Sequence, residues 1–193
     1  LRLMVRSGFV VEVDELPYLA HGFLRPTPTP VGEAWSWSDL PERAAPGSWT
    51  QVLRQRLGPK APIVAIDLLP MVPIAGVTFL QADFREDDGL AQLEKALDGR
   101  KADLVVSDLS PNLSGVEAAD QARSVHLGEL ALEFCKAWLQ PGGDLVVKAF
   151  QGEGFADFRR AMEAHFAKVY VRKPQASRDR SREVYVVGKG LKS

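Results

Sequence analysis

A single cysteine, Cys135, and the absence of any long apolar run already restrict what this 193-residue chain can be. One thiol forms no internal disulfide and has no second thiol to help hold a metal. Set in the helical pattern LGELALEFCKAWL, it reads as buried and inert. No stretch reaches the roughly 18 apolar residues needed to cross a bilayer, and the N-terminus lacks the charged, apolar and small-residue succession of a signal peptide. The expectation is a monomer of the cytoplasm with no membrane partner. Aromatic residues make up only 8% of the chain, too few for a platform on which single-stranded bases stack. Net charge is −1, so no overall excess of one sign announces a partner. Local charge does: from position 168 to 182 there are six Lys or Arg and one acidic residue, Asp179. No G-x-G-x-x-G follows an apolar run, which disfavours a dinucleotide oxidoreductase.

What is present fits one globular domain, with 46% hydrophobic and 25% charged residues. From position 61 onward, short apolar runs alternate with amphipathic stretches. IVAID and VTFLQADF are followed by a polar helical stretch over residues 86–97, then ADLVVSDL, then a long helix over residues 117–140. On that helix Leu127, Leu130, Ala131, Phe134 and Trp138 recur at three- and four-residue spacing, and Pro141-Gly142-Gly143 ends it before DLVVKAF. FADFRRAMEAHFAKV predicts another helix, and VYVRKP and EVYVVGKG predict two late strands joined by the basic loop QASRDRSR. The fold class expected is α/β: a doubly wound, mostly parallel sheet with helices on both faces and an antiparallel hairpin at its edge. Residues 1–43 read differently, as an irregular or divergent segment with Pro26, Pro28 and Pro30 at alternate positions and no clear strand. Residues 44–193 read as the domain proper.

Three polar residues on separate pieces of the second half stand out: Asp108 in VVSDLSPN, Lys148 in VVKAFQGEGF and Glu183 in SREVYVV. The first two end or interrupt apolar runs, where a charge is costly unless paired or used. A lysine between two carboxylates is suited to holding and deprotonating a hydroxyl. Asp67 and Asp83 likewise follow apolar runs, at the carboxyl ends of parallel strands, where open α/β sheets bind ligands. Each is also a plausible helix N-cap. In AAPGSWTQVLRQRLG, Gly47 allows a ligand to approach the backbone ahead of a helix whose free N–H groups favour a negative or polar group.

The segments AAPGSWTQV, IDLLPM, FLQADFR, SDLSPNLSG, LALEFCKAWLQPGG, VVKAFQGEGF and VRKPQASRDRSREVY, in that order, resemble the FtsJ/RrmJ family of ribosomal RNA 2′-O-methyltransferases. The resemblance implies S-adenosyl-L-methionine as cofactor and a ribose 2′-hydroxyl, of a uridine in large-subunit ribosomal RNA, as methyl acceptor. It assigns Gly47 and Trp49 to the cofactor loop, Asp67 to the cofactor ribose, Asp83 to its adenine, and Asp108 to the methionine end and the catalytic centre. Lys148 and Glu183 match the second lysine and the glutamate of the family's Lys-Asp-Lys-Glu tetrad. By position, Arg172, Lys173, Arg178, Arg180 and Arg182 would meet RNA phosphates beside Glu183.

Two features depart from the family pattern. The first tetrad lysine is absent, because no lysine precedes Lys60, and the loop reads Asp39-Leu40-Pro41-Glu42-Arg43-Ala44-Ala45-Pro46-Gly47, two residues longer than Asp-Leu-Gly-Ala-Ala-Pro-Gly and one glycine poorer. Trp35-Ser36-Trp37-Ser38 is what codons for Met-Val-Val-Val give when read one base late. A reading-frame disturbance upstream of Ala44 therefore accounts for the missing Val-rich strand, with genuine divergence as the alternative. An undisturbed frame on both DNA strands would rule the disturbance out. Two other functions compete with methyl transfer to ribosomal RNA: a catalytically impaired RNA- or ribosome-binding homologue, and a cap-type RNA 2′-O-methyltransferase.

Overall fold

The computed structural model describes residues 2–6, 48–109, 114–173 and 182–193. Strands β1 (Arg2–Arg6), β2 (Ile63–Asp67), β3 (Val77–Gln81), β4 (Ala102–Ser107), β5 (Leu139–Phe150), β6 (Phe166–Arg172) and β7 (Glu183–Leu191) form one sheet in the order β3-β2-β1-β4-β5-β7-β6. The helices among the described residues are α1 (Ser48–Leu57), α2 (Asp87–Leu97), α3 (Glu117–Trp138) and α4 (Phe155–His165). β2 runs parallel to β3, and β4 parallel to β5. β1 is antiparallel to both β2 and β4, which makes those two point the same way. β7 is antiparallel to β5 and β6, so among the described strands β1 and β7 oppose the direction of the other five. The fold is the expected doubly wound α/β class, and the β6–β7 pair is the edge hairpin.

Alternation within the strands divides the core in two. Val64, Ile66, Val105, Leu145, Val147 and Val186 pack with residues of α2, α3 and α4, whereas Ile63, Ala65, Leu104, Val106, Val146 and Val187 pack with Trp49 and Leu53 of α1. Both faces being covered explains why the strands read as continuous apolar runs. Each fully buried Leu, Val or Phe contributes about 1.5–3 kcal/mol. The predicted stripe of α3 holds: Leu127, Ala131 and Phe134 are buried, with Leu130 and Trp138 partly so. Cys135 is 0% exposed, and burial pushes its thiol well above the ordinary range, as an inert cysteine requires. No helix among the described residues is long and apolar enough to cross a membrane.

Three details differ from the sequence reading. A strand does precede residue 44: Arg2–Arg6 fills the slot between β2 and β4, against the expectation of no strand there. The slot offers ladder partners on both sides, so five residues with the apolar centre Leu3-Met4-Val5 suffice. α3 stops at Trp138 because Leu139 already pairs with Ala102 and is buried, and Pro141-Gly142-Gly143 forms an irregularity inside β5. α4 stops at His165, since Phe166 begins β6 opposite Leu191. The run from 7 to 47, including Asp39 and Gly47, lies outside the described residues, as do Arg178 and Arg180.

Candidate active site

The carboxyl ends of β2, β3 and β4 deliver Asp67, Asp83 and Asp108 to one end of the sheet. Asp67, 4% exposed, closes its own turn by accepting the Leu69 N–H at 3.0 Å. The Ala82 N–H donates to the Asp67 carbonyl at 3.1 Å, so the chain before Asp83 is tied to the end of β2. Asp83 accepts the Arg85 backbone N–H at 2.9 Å, Nε at 3.0 and 3.1 Å and an Nη2 bond of 2.5 Å. These bonds hold its carboxyl below the usual range, the side-chain hydrogen bond to Arg85 being the largest cause. Gly89 of α2 allows this corner to close. A Cβ there would sit 1.9 Å from the Asp83 carbonyl oxygen.

Asp108 lies just past β4, where Lys148 Nζ approaches its Oδ1 to 3.1 Å. Both side chains are largely enclosed, at 13% and 19% exposure, so the pair is worth more than a surface contact and costs more to break. The same oxygen accepts the Tyr185 hydroxyl at 3.0 Å. Lys148 and Tyr185 are cross-strand partners on β5 and β7, and Glu183 stands two residues before Tyr185, on the same face. Burial, the charge of Asp108 and its hydrogen bond, and the charge of Glu183 push the Tyr185 hydroxyl well above its ordinary pKa, so it stays a donor. Trp49 of α1, 1% exposed, meets the Tyr185 ring edge-on with centroids 5.5 Å apart. The structure thus brings Asp108, Lys148, Glu183 and Trp49 to one end of the sheet, beside Asp67 and Asp83.

Tyr185 was not anticipated from the sequence. Its signal was the period of two: in REVYVV it points the same way as Glu183. Asp120 was also missed. Its carboxylate accepts Ser114 N–H and Oγ, both at 2.8 Å, and Gly115 N–H at 3.1 Å, and the backbone bond from Ser114 leads the causes that lower its pKa. It fixes Ser114 and Gly115 ahead of α3. Arg182, exposed at the start of β7, pairs with Glu117 at the start of α3.

The model of the FtsJ-like methyltransferases matches residues 43–191, most of the chain. The chain belongs to the FtsJ-like methyltransferase family. It is 59% identical over 149 residues to ribosomal RNA large subunit methyltransferase E of Azoarcus sp. (strain BH72), covering 77% of this chain and 73% of that protein. Against the protein of the same name from Nitrosomonas eutropha, identity is 54% over 145 residues, 75% of this chain and 70% of the relative. A solved structure assigned as a ribosomal RNA methyltransferase from Plasmodium falciparum superposes with a TM-score of 0.66 at 28% identity, covering 76% of this chain and 82% of that one. Asp108, Lys148, Glu183 and Tyr185 all lie within the matched stretch.

Proposed function

We propose that this chain transfers the methyl group of S-adenosylmethionine to a ribose 2′-hydroxyl of a uridine in large-subunit ribosomal RNA, as a monomer in the cytoplasm, with Lys148, Asp108 and Glu183 as its catalytic residues. The observation that carries this is the enclosed Lys148–Asp108 pair, 3.1 Å apart, at the sheet end where Asp67 and Asp83 also project. It rests further on the names of the relatives. Residues 44–193 form the methyltransferase domain in this reading, and residues 1–43 a divergent segment that lends the sheet one strand.

The donor set fits such a cofactor. Three carboxylates at the ends of β2, β3 and β4 could accept hydrogen bonds from ribose hydroxyls, an adenine amino group and an ammonium, and the Ser107 hydroxyl, 0% exposed beside Asp108, has no partner among the described residues. Asp67 would hold the ribose and Asp83 the adenine; Gly47 would belong to the cofactor loop, and Trp49, buried in α1, would act through its packing on Tyr185 and not by touching the nucleoside. Arg85 occupies Asp83, and its side chain is 48% exposed, so it would have to swing into solvent for Asp83 to take the adenine. When bound, the cofactor supplies an electrophilic methyl group on a sulfonium.

Transfer to oxygen is an in-line displacement, so the chain's task is alignment and the handling of one proton. Lys148 Nζ directs the 2′-oxygen and stabilises the charge that develops on it as its proton passes to solvent water. Asp108 fixes the ammonium, Tyr185 fixes Asp108, and Glu183 adds a second carboxylate on the same face. No lysine precedes Lys60 to fill the first tetrad position, so the guiding of the oxygen lone pair falls to Lys148. That missing lysine also favours a second reading, a catalytically weak homologue that binds RNA or ribosomes. Incubation with labelled S-adenosylmethionine and large subunits from cells lacking this methylation separates the two. Label in RNA is expected; cofactor binding without transfer would support the weak homologue, and no binding would contradict the cofactor assignment.

A further inference from the structure

β4 ends at Ser107, in register with Val147, and leaves the sheet to deliver Asp108. β5 continues for three more residues, Lys148, Ala149 and Phe150, paired with β7 alone. On the side that β4 has vacated, the backbone of this overhang needs other partners. α3 supplies them. Ser124 Oγ accepts the Phe150 N–H at 3.1 Å, and Gln121 Nε2 donates to the Phe150 carbonyl at 2.5 Å. Both side chains are buried, at 2% and 5% exposure, in the half of α3 that carries polar residues where its other half carries leucines. Buried amides and hydroxyls are costly unless bonded, so their presence inside a helix that otherwise packs by apolar contacts calls for a task.

Two further contacts lock the same stretch. The Gln151 N–H donates to the Arg182 carbonyl at 2.9 Å, joining the end of β5 to the start of β7. Gly152 lies so close to Gln121 that a Cβ there would meet its Oε1 at 2.7 Å. The Phe150 peptide is thus held from α3 on one side and from β7 on the other. Lys148 lies two residues before it on the same face, and Glu183 is its cross-strand partner.

We propose that Gln121 and Ser124 are positioning residues for Lys148: by replacing the absent β4 ladder they fix the overhang of β5 and hence the placement of the ammonium against Asp108. This rests on the proposed methyl transfer for its kinetic consequence, but not for its structural one. The test uses the full chain with Gln121→Met, which keeps volume and loses the donor, Ser124→Ala, and Ser124→Thr, which keeps the hydroxyl. Asp144→Asn serves as a structural control, because Asp144 anchors Lys189 and the Gly190 N–H near the opposite end of β5. Two quantities are read beside the melting temperature: the rate of chemical acetylation of Lys148 by mass spectrometry, and kcat and KM for methyl transfer to large subunits.

Gln121→Met and Ser124→Ala are expected to raise Lys148 acetylation at least threefold and to lower kcat tenfold or more, with KM for cofactor within twofold. Ser124→Thr should restore both, and Asp144→Asn should lower only the melting temperature. If Gln121→Met and Ser124→Ala lower the melting temperature as Asp144→Asn does, and leave Lys148 reactivity and kcat unchanged, the two residues are merely structural. Should the unsubstituted chain transfer no methyl group, the proposed function fails, while the acetylation rates still decide the positioning role.

Discussion

Tyr185 shows how one residue can couple packing to chemistry. Its ring lies against Trp49 in the core and its hydroxyl holds Asp108 at 3.0 Å. Burial and the neighbouring carboxylates raise its folded pKa above the unfolded value of 10.0, so the folded state keeps a proton that the unfolded chain releases. The contribution to stability is therefore fully present below that value and is lost as pH rises beyond it. Melting temperature should fall steeply above about pH 10, the ordinary tyrosine pKa, and Tyr185→Phe should flatten that fall; an unchanged alkaline slope would count against the buried hydroxyl. Asp67→Ala and Asp83→Ala should each weaken S-adenosylmethionine binding by about 1–3 kcal/mol, the cost of a lost charge-assisted hydrogen bond. Calorimetric titration checks this, and unchanged affinity in both would reduce these carboxylates to turn-formers. At this scale the charged site residues were legible, because Asp108 and Lys148 end or interrupt apolar runs. Tyr185, Gln121 and Ser124 were not. A tyrosine in a strand looks like an ordinary β-former, and polar residues on a helix look like its solvated face until tertiary contacts show otherwise.

Among the elements, α2 carries the closest constraint on the site. Gly89, in its first turn, passes the Asp83 carbonyl at a distance that leaves no room for a methyl group. Gly89→Ala should destabilise the fold by about 1–3 kcal/mol through overpacking, despite alanine's better helix propensity, and should weaken cofactor binding by displacing Asp83. Chemical denaturation with a parallel titration measures both; a stabilised variant with normal affinity would mean that the corner relaxes freely. The existence and type of α2, α3, α4 and of β2 to β7 were legible from periodicity. Their junctions were not, because Leu139 and Phe166 are claimed by the sheet through burial and strand pairing, which a local pattern does not carry. β1 escaped notice for the same reason: Leu3-Met4-Val5 is too short a signal alone, and only the slot between β2 and β4 makes it a strand.

At the scale of the whole molecule, the basic run lies in sequence between β6 and β7. β7 carries Glu183 and Tyr185 into the site and follows directly on the basic run containing Arg178, Arg180 and Arg182. Replacing these three arginines together by alanine should weaken binding to large subunits and flatten its salt dependence, since each phosphate contact contributes about 0.9 to the logarithmic slope on duplex and about 0.7 on single strands. Cofactor affinity should be untouched; unchanged subunit affinity across a salt series would place the RNA surface elsewhere. The central claim is that Lys148 directs a ribose 2′-oxygen. Its most direct test is alkaline hydrolysis of ribosomal RNA methylated in vitro with labelled cofactor, using the unsubstituted chain and Lys148→Ala. A 2′-O-methyl group blocks cleavage at its own linkage, so the account predicts label in an alkali-resistant dinucleotide with the unsubstituted chain and none with Lys148→Ala, whose cofactor affinity stays within a few-fold. Label released in mononucleotides, or equal labelling by Lys148→Ala, would contradict it.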